Sequence, residues 1–191
     1  MKTFDGKLRG RSPLIAMFAT LLCLSQFAAA ASLDATQQGK VDAKVKEIQS
    51  WTADAAIVAA VQAYNSAKSP EAAAMDQGKW TATSVIDPFV RGLTKNPAAT
   101  TLKSKGGDVV SEAFLSGADG GKVAFLGKPS SWSHKGKPKH DQPMSGKTWQ
   151  GDVEVDESSG LQQVQVAVPV LDGGKPIGSL VVGLSDGKLA K

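Results

Sequence analysis

From residue 36 to 67 the periodic positions are Val41, Val45, Ile48 and Thr52, then Ile57, Val58, Val61 and Tyr64. Steps of three and four put one stripe of a helix against a core, so the pattern predicts a long helix over 36–67. Ser69-Pro70-Glu71 then combines an N-cap hydroxyl, a proline at the first helical position and an acid in the first turn. It predicts a second helix that ends at Gly78. Asp87-Pro88 and Asn96-Pro97 repeat that start for two shorter helices, with Trp51 and Trp80 as the large anchors of the helical half.

After Gly106-Gly107 the period changes to two. Val109 to Leu115 and Lys122 to Leu126 read as strands around a Gly-rich turn. Val164, Val166, Val168 and Val170 occupy every second position, and Ile177 to Leu184 is a second apolar strand beyond Asp172-Gly173-Gly174-Lys175. Trp149 to Asp156 reads as a further strand, with Trp149, Gly151, Val153 and Val155 on one face and the acids Asp152, Glu154 and Asp156 on the other. Between the hairpins, Gly127 to Lys147 shows no periodicity, and a loop of that length is usually functional or disordered. Helices followed by about five antiparallel strands make an α+β layer arrangement.

The first 31 residues change this picture. Lys2, Lys7, Arg9 and Arg11 precede an uncharged apolar run, Leu14 to Phe27, and then the small residues Ala28 to Ala31. This is the pattern of a secretory signal peptide, cleaved just before Ala31 or Ser32, with residues 32–191 as a single exported domain, periplasmic or secreted. The competing reading is an uncleaved membrane anchor, since Leu14 to Ala31 is just long enough to span a bilayer. The leader holds four of the 22 basic and one of the 18 acidic residues, so 18 against 17 remain and the net charge falls from +4 to +1. Nothing in that balance calls for nucleic acid. The only cysteine, Cys23, lies in the leader, so no disulfide is expected in the mature fold.

The C-terminal half carries a resemblance. Gly151-Asp152-Val153-Glu154-Val155-Asp156-Glu157-Ser158, then Val166-Ala167-Val168-Pro169-Val170, Lys175-Pro176-Ile177-Gly178 and Val181-Val182-Gly183, resembles the Cache (PDC-type) extracellular sensor domains of bacteria. The likeness covers roughly residues 45–185. It implies a long N-terminal helix and short helices packed on an antiparallel PAS-like sheet of single-Cache type. It also implies a small molecule bound between that sheet and the 127–149 loop. In such sensors the aspartate at the acidic bend can hold a ligand amine, and Asp156 is the matching position. Relatives commonly carry an aromatic-rich, acidic element in the long loop, whereas this chain has Lys128, Lys135, Lys137, Lys139 and Lys147 there.

The candidate ligand-binding residues are therefore Phe125, Trp132, His134, Trp149, Asp152 and Asp156. Tryptophan in a loop leaves much apolar area wet unless it folds back, so Trp132 and Trp149, with Phe125, are expected over the sheet. There they wall a cavity or fill it themselves. Asp156 binds a cationic group by a charge-assisted hydrogen bond, or caps its own turn. Asp152 and Glu154 are also readable as a solvated face. His134, His140 and Asp141 lie close in sequence, yet two histidines six apart in a Pro/Gly-rich loop have no geometric reason to share a metal. No nucleophile elbow, phosphate loop or zinc-protease helix occurs, so neither enzymatic activity nor a cofactor or metal is expected. The expected function is an exported sensor domain without its own transducer. Its ligand would be a small organic molecule of amino acid, amine or organic acid class, and its partner a membrane receptor or kinase. The alternatives are a ligand-free interaction module docking on a membrane signalling partner and, third, an exported metal-dependent enzyme.

Overall fold

The computed structural model describes residues 1–2, 32–156 and 160–191. The predicted leader from residue 3 to 31, Cys23 included, and Glu157, Ser158 and Ser159 of the acidic bend lie outside them. The fold is α+β: six helices, a strand pair, one short helix, three more strands and a C-terminal helical turn. The single helix expected over 36–67 is two, α1 (Ala35–Trp51) and α2 (Ala55–Ser66). The break comes at Thr52–Asp54, where the Asp54 carboxylate accepts from the Ala56 amide and caps a new start. The helix from Ser69-Pro70 likewise stops early. It splits into α3 (Pro70–Ala74) and α4 (Gln77–Ala82), because Asp76 caps a second start through the Lys79 amide. The two proline-led helices, α5 (Pro88–Lys95) and α6 (Pro97–Gly106), stand where the Asp-Pro and Asn-Pro signals predict them.

The strands are β1 (Val110–Gly117), β2 (Lys122–Phe125), β3 (Trp149–Val155), β4 (Gln162–Asp172) and β5 (Lys175–Ser185). They form one antiparallel sheet in the order β2-β1-β5-β4-β3, the PAS-like arrangement implied by the resemblance. The β4–β5 turn needs positive φ at both Gly173 and Gly174, 54° and 81°, which glycine adopts without cost.

Both faces of the sheet are covered. On the first, Val164, Val166, Val168, Val170, Leu180, Val182 and Leu184 pack with Ala113 and Leu115 against Val41, Ile48 and Trp51 of α1, Ile57 and Val61 of α2 and Leu102 of α6. The second face carries a smaller, more aromatic cluster in which Phe114, Phe125, Ala167 and Val181 meet Ala72, Trp80, Val90 and Trp132. The backbones of the two layers approach closely at Gly178. A Cβ there would lie 2.4 Å from the Ser116 carbonyl oxygen and 2.8 Å from the Val61 side chain, so neither strand nor α2 has room for it.

The segment expected as an unstructured loop over 127–147 contains a helix, α7 (Pro138–Met144), which packs on β3, β4 and β5. Its first turn needs no amide at Pro138, and its buried residues, His140 and Pro143, face the sheet. Gly178→Ala is expected to lower stability by about 1–3 kcal/mol, the usual cost of overpacking a tight core contact. Urea denaturation of the two proteins checks this, and equal midpoints would contradict the close approach.

Candidate functional site

On the second face, register fixes three rows of side chains across the strands. The middle row is apolar: Phe125, Phe114, Val181, Ala167 and Trp149 are successive neighbours through β2, β1, β5, β4 and β3. To one side lies an acceptor-rich row. Glu112 and Gln165 flank Gly183, and Gln163 lies opposite Glu154. To the other side Lys122, Ser116 and Ser179 are neighbours. A bulge between Gln150 and Val153 sets where β3 contributes. It corrects the face expected from simple alternation: Trp149 packs with the second cluster, whereas Val153 packs with the first.

The segment 127–137 is held over these rows by bonds from several directions. The Trp80 indole donates to the Pro129 carbonyl at 2.8 Å, and Lys128 donates to the carbonyls of Trp80 at 2.6 Å and Thr83 at 2.9 Å. Gln77 accepts from the Trp132 amide at 3.0 Å. The Trp132 ring, 6% exposed, packs at 5.2 Å from Trp80 and 5.8 Å from Phe89. Further along, Ser133 bridges to Gly121, and the His134 amide donates to the Gly120 carbonyl at 3.2 Å. His140 of α7 is hydrogen-bonded through Nδ1 to the Ser179 hydroxyl at 2.8 Å.

Between this roof and the sheet lies a cavity of about 320 Å³. Glu112, Glu154 and Asp156 bring carboxylates to it, Lys137 and Lys139 bring ammonium groups, and Gln163, Gln165, Ser130 and Ser131 add neutral polar groups. The floor is Phe114, on which His134 stacks with ring centres 4.8 Å apart and planes 19° from parallel.

Of the six residues expected from sequence, the structure brings His134 and Asp156 to the cavity. Phe125 and Trp132 are buried in the second cluster and Trp149 is half-buried against it, so the three aromatics support the cavity from behind. Asp152 sits in the β3 bulge, in a separate depression with Leu33 and Gln38 beside α1. Sequence reasoning missed Glu112, Phe114, Gln163, Gln165 and Lys122, and Lys139, noted there only as one lysine of a basic loop, is half-buried at the cavity. Gln163 and Gln165 did carry a signal, since they alternate with buried valines in a strand whose other face is also covered.

Charge and burial set the protonation of these groups. The Glu112 carboxylate is 8% exposed and accepts from the Gln163 amide at 2.6 Å and from that of Gln165 on the same oxygen, Oε1. Burial first, and then the negative charge of Asp156, hold its pKa above the ordinary value, while the two amides and Lys139 oppose that rise. Lys122 is fully buried, and Nζ meets His134 Nδ1 at 2.7 Å, the Gly120 carbonyl at 3.3 Å and the Ser116 hydroxyl at 3.4 Å. Burial, with repulsion from Lys139, draws its pKa down to about 7, although Glu112 and Asp119 favour the charged form. Burial and the positive charges of Lys122, Lys139, His140 and Lys137 hold His134 far below the usual imidazole range. His140 is lowered chiefly by burial.

No family model matches the chain, and no curated protein matches it. Among solved structures it is similar to the sensor domain of the Vibrio cholerae histidine kinase DctB, with 14% identity and a TM-score of 0.39 over 80% of this chain and 58% of that one. It is also similar to the ligand-binding domain of the Campylobacter jejuni chemoreceptor Tlp3 in complex with L-norvaline, at 15% identity and TM-score 0.44 over 81% and 55% of the two chains. The ligand-binding domain of the Pseudomonas aeruginosa PAO1 amino acid chemoreceptor PctB, in complex with L-Arg, gives 17%, 0.45, 82% and 54%. The chain thus spans little more than half the length of each.

Buried bases with lowered pKa bind fewer protons folded than unfolded, so stability rises with pH between the folded and unfolded values. For Lys122 that window runs upward from about 7 to the ordinary lysine range, and for His134 and His140 it lies below about 6.5. Glu112 acts oppositely, losing stability as pH rises from the ordinary carboxylate range through its raised value. Unfolding free energy, and with it the melting temperature, is therefore expected to climb from pH 5 to pH 9, the former at up to about 1.4 kcal/mol per pH unit for each group titrating. Lys122→Met should flatten the limb above pH 7. Calorimetry across that range checks it, and a monotonic fall would contradict these environments.

Proposed function

We propose that this chain is an exported small-molecule sensor domain that holds its ligand between the sheet and the 127–149 segment. The cavity carries this reading. A hydrophobic core has no use for Glu112, His134 and Lys122 at the burial they show, and polar groups are kept in such places where they find partners or serve a site. A volume of about 320 Å³ suits a metabolite the size of an amino acid, amine or organic acid. Glu112, Glu154 and Asp156 would take a cationic group, and Lys137 and Lys139 an anionic one. The proposal includes export directed by residues 1–31 and a membrane receptor or kinase as the partner that reads the bound state.

One feature favours the second reading, a ligand-free docking module. Val85 and Ile86 stand 63% and 72% exposed between α4 and α5, close to the shallow groove lined by Met75, Ala82 and Phe89.

Thermal-shift assays and calorimetric titration against the L-amino acids, biogenic amines and small organic acids separate the two. At 100-fold excess over Kd a bound ligand adds about 2.7 kcal/mol, hence roughly 5–10 °C for a domain of this size. Glu112→Gln is expected to weaken the responding compound at least about tenfold. A flat response to the whole panel would remove the sensor reading and leave the docking module.

A further inference from the structure

The ring of His134 has two nitrogens with different surroundings. Nδ1 faces Lys122 Nζ at 2.7 Å. Lysine in its charged form has only protons to give, so Nδ1 must accept and the imidazole proton must reside on Nε2. Nε2 has no hydrogen-bond partner among the described residues, yet it is not sealed off, and His134 lines the cavity although only 8% exposed. The ring cannot easily turn to exchange its nitrogens. It is stacked on Phe114, and its own amide is bonded to Gly120, where a Cβ would come within 2.4 Å of the Lys135 amide nitrogen.

Lys122 itself makes no ion pair among the described residues. Its partners are a carbonyl, a hydroxyl and an imidazole, all neutral, with the Phe114 ring 4.7 Å below. A buried cation with only neutral partners leaves a positive field that favours an anion placed nearby. Across the cavity stands the complementary group. The Glu112 side chain spends Oε1 on two amides, while Oε2 has no partner among the described residues.

We propose that Lys122 and His134 form the anion-recognising end of the cavity, with Lys122 as the positioning residue that fixes His134 to present Nε2–H to a ligand carboxylate. Lys139, bonded to Gln165, offsets one of the three carboxylates Glu112, Glu154 and Asp156, and the negative charge left over favours the cationic group of the same ligand at that end, so the ligand class is a zwitterionic amino acid. This rests on the cavity being a ligand site, as proposed above. The donor is set before the ligand arrives, so its orientation costs nothing on binding.

Two measurements test it. Long-range proton–nitrogen correlation spectra of the histidine-labelled protein at pH 6, where Lys122 is charged, should show His134 as the Nε2–H tautomer, and Lys122→Met should lose that preference. A wild-type Nδ1–H tautomer would overturn the proposal whether or not the variant folds. Each L-amino acid that raises the melting temperature is then compared with its decarboxylated amine and its methyl ester. Both analogues should bind at least tenfold more weakly to the wild type, and Lys122→Met should shrink that gap. Amines binding as tightly as their parent amino acids would overturn the carboxylate subsite and leave the cavity reading intact. An organic acid or amine of the panel that binds while no amino acid does would overturn the zwitterion class and leave the cavity reading, whereas a flat response to the whole panel would sink both.

Discussion

The covering of the sheet on both faces is the constraint from which the rest follows. A sheet with one wet face can leave polar side chains to water, but here the α3–α5 helices, the 127–137 segment and α7 close the second face. Every charged or amide side chain that points that way must be bonded inside the protein or lie against a cavity. Glu112, Gln163, Gln165, Lys122, Ser179 and His140 meet that demand by pairing with one another or with the backbone, and among the described residues no sealed side-chain nitrogen or oxygen is left without a partner.

The roof and the polar rows depend on one another. Trp132 seats in the Trp80 and Phe89 cluster, which fixes the height at which His134 enters two residues later. The apolar middle row separates the Glu112 row from the Lys122 row, and Lys139 of α7 reaches the acidic side, where it bonds Gln165 and offsets part of the carboxylate charge. Three carboxylates against that ammonium leave the Glu112 side the more negative end of the cavity.

Much of the architecture was legible in the chain. Proline after Asp or Asn marked α5 and α6, and the alternating valines marked β4, because these signals are local and each acts within one turn or one strand. The breaks at Asp54 and Asp76 were legible in principle but outweighed by the continuing hydrophobic period. The cavity was less legible. His134 and Asp156 stood out as polar residues near a bend or loop, whereas Lys122 read only as the first residue of a strand after a Gly-rich turn, because nothing local reveals that Ser133 will bridge over Gly121 and bury it. Phe125, Trp132 and Trp149 read as ligand walls because aromatic rings look alike whether they touch a ligand or hold up what does.

The extra residue in β3 decides which chemistry the far wall of the chamber has. Counting outward from Trp149 without it, Val153 and Val155 would turn toward the roof and Glu154 toward α1. With it, the parity reverses midway, so the exposed Glu154 borders the cavity and Val153 sinks among aliphatic neighbours. A single position of backbone slack near Gly151 thus acts as a polarity selector, converting what would have been a greasy edge into an ionic one without altering a side chain.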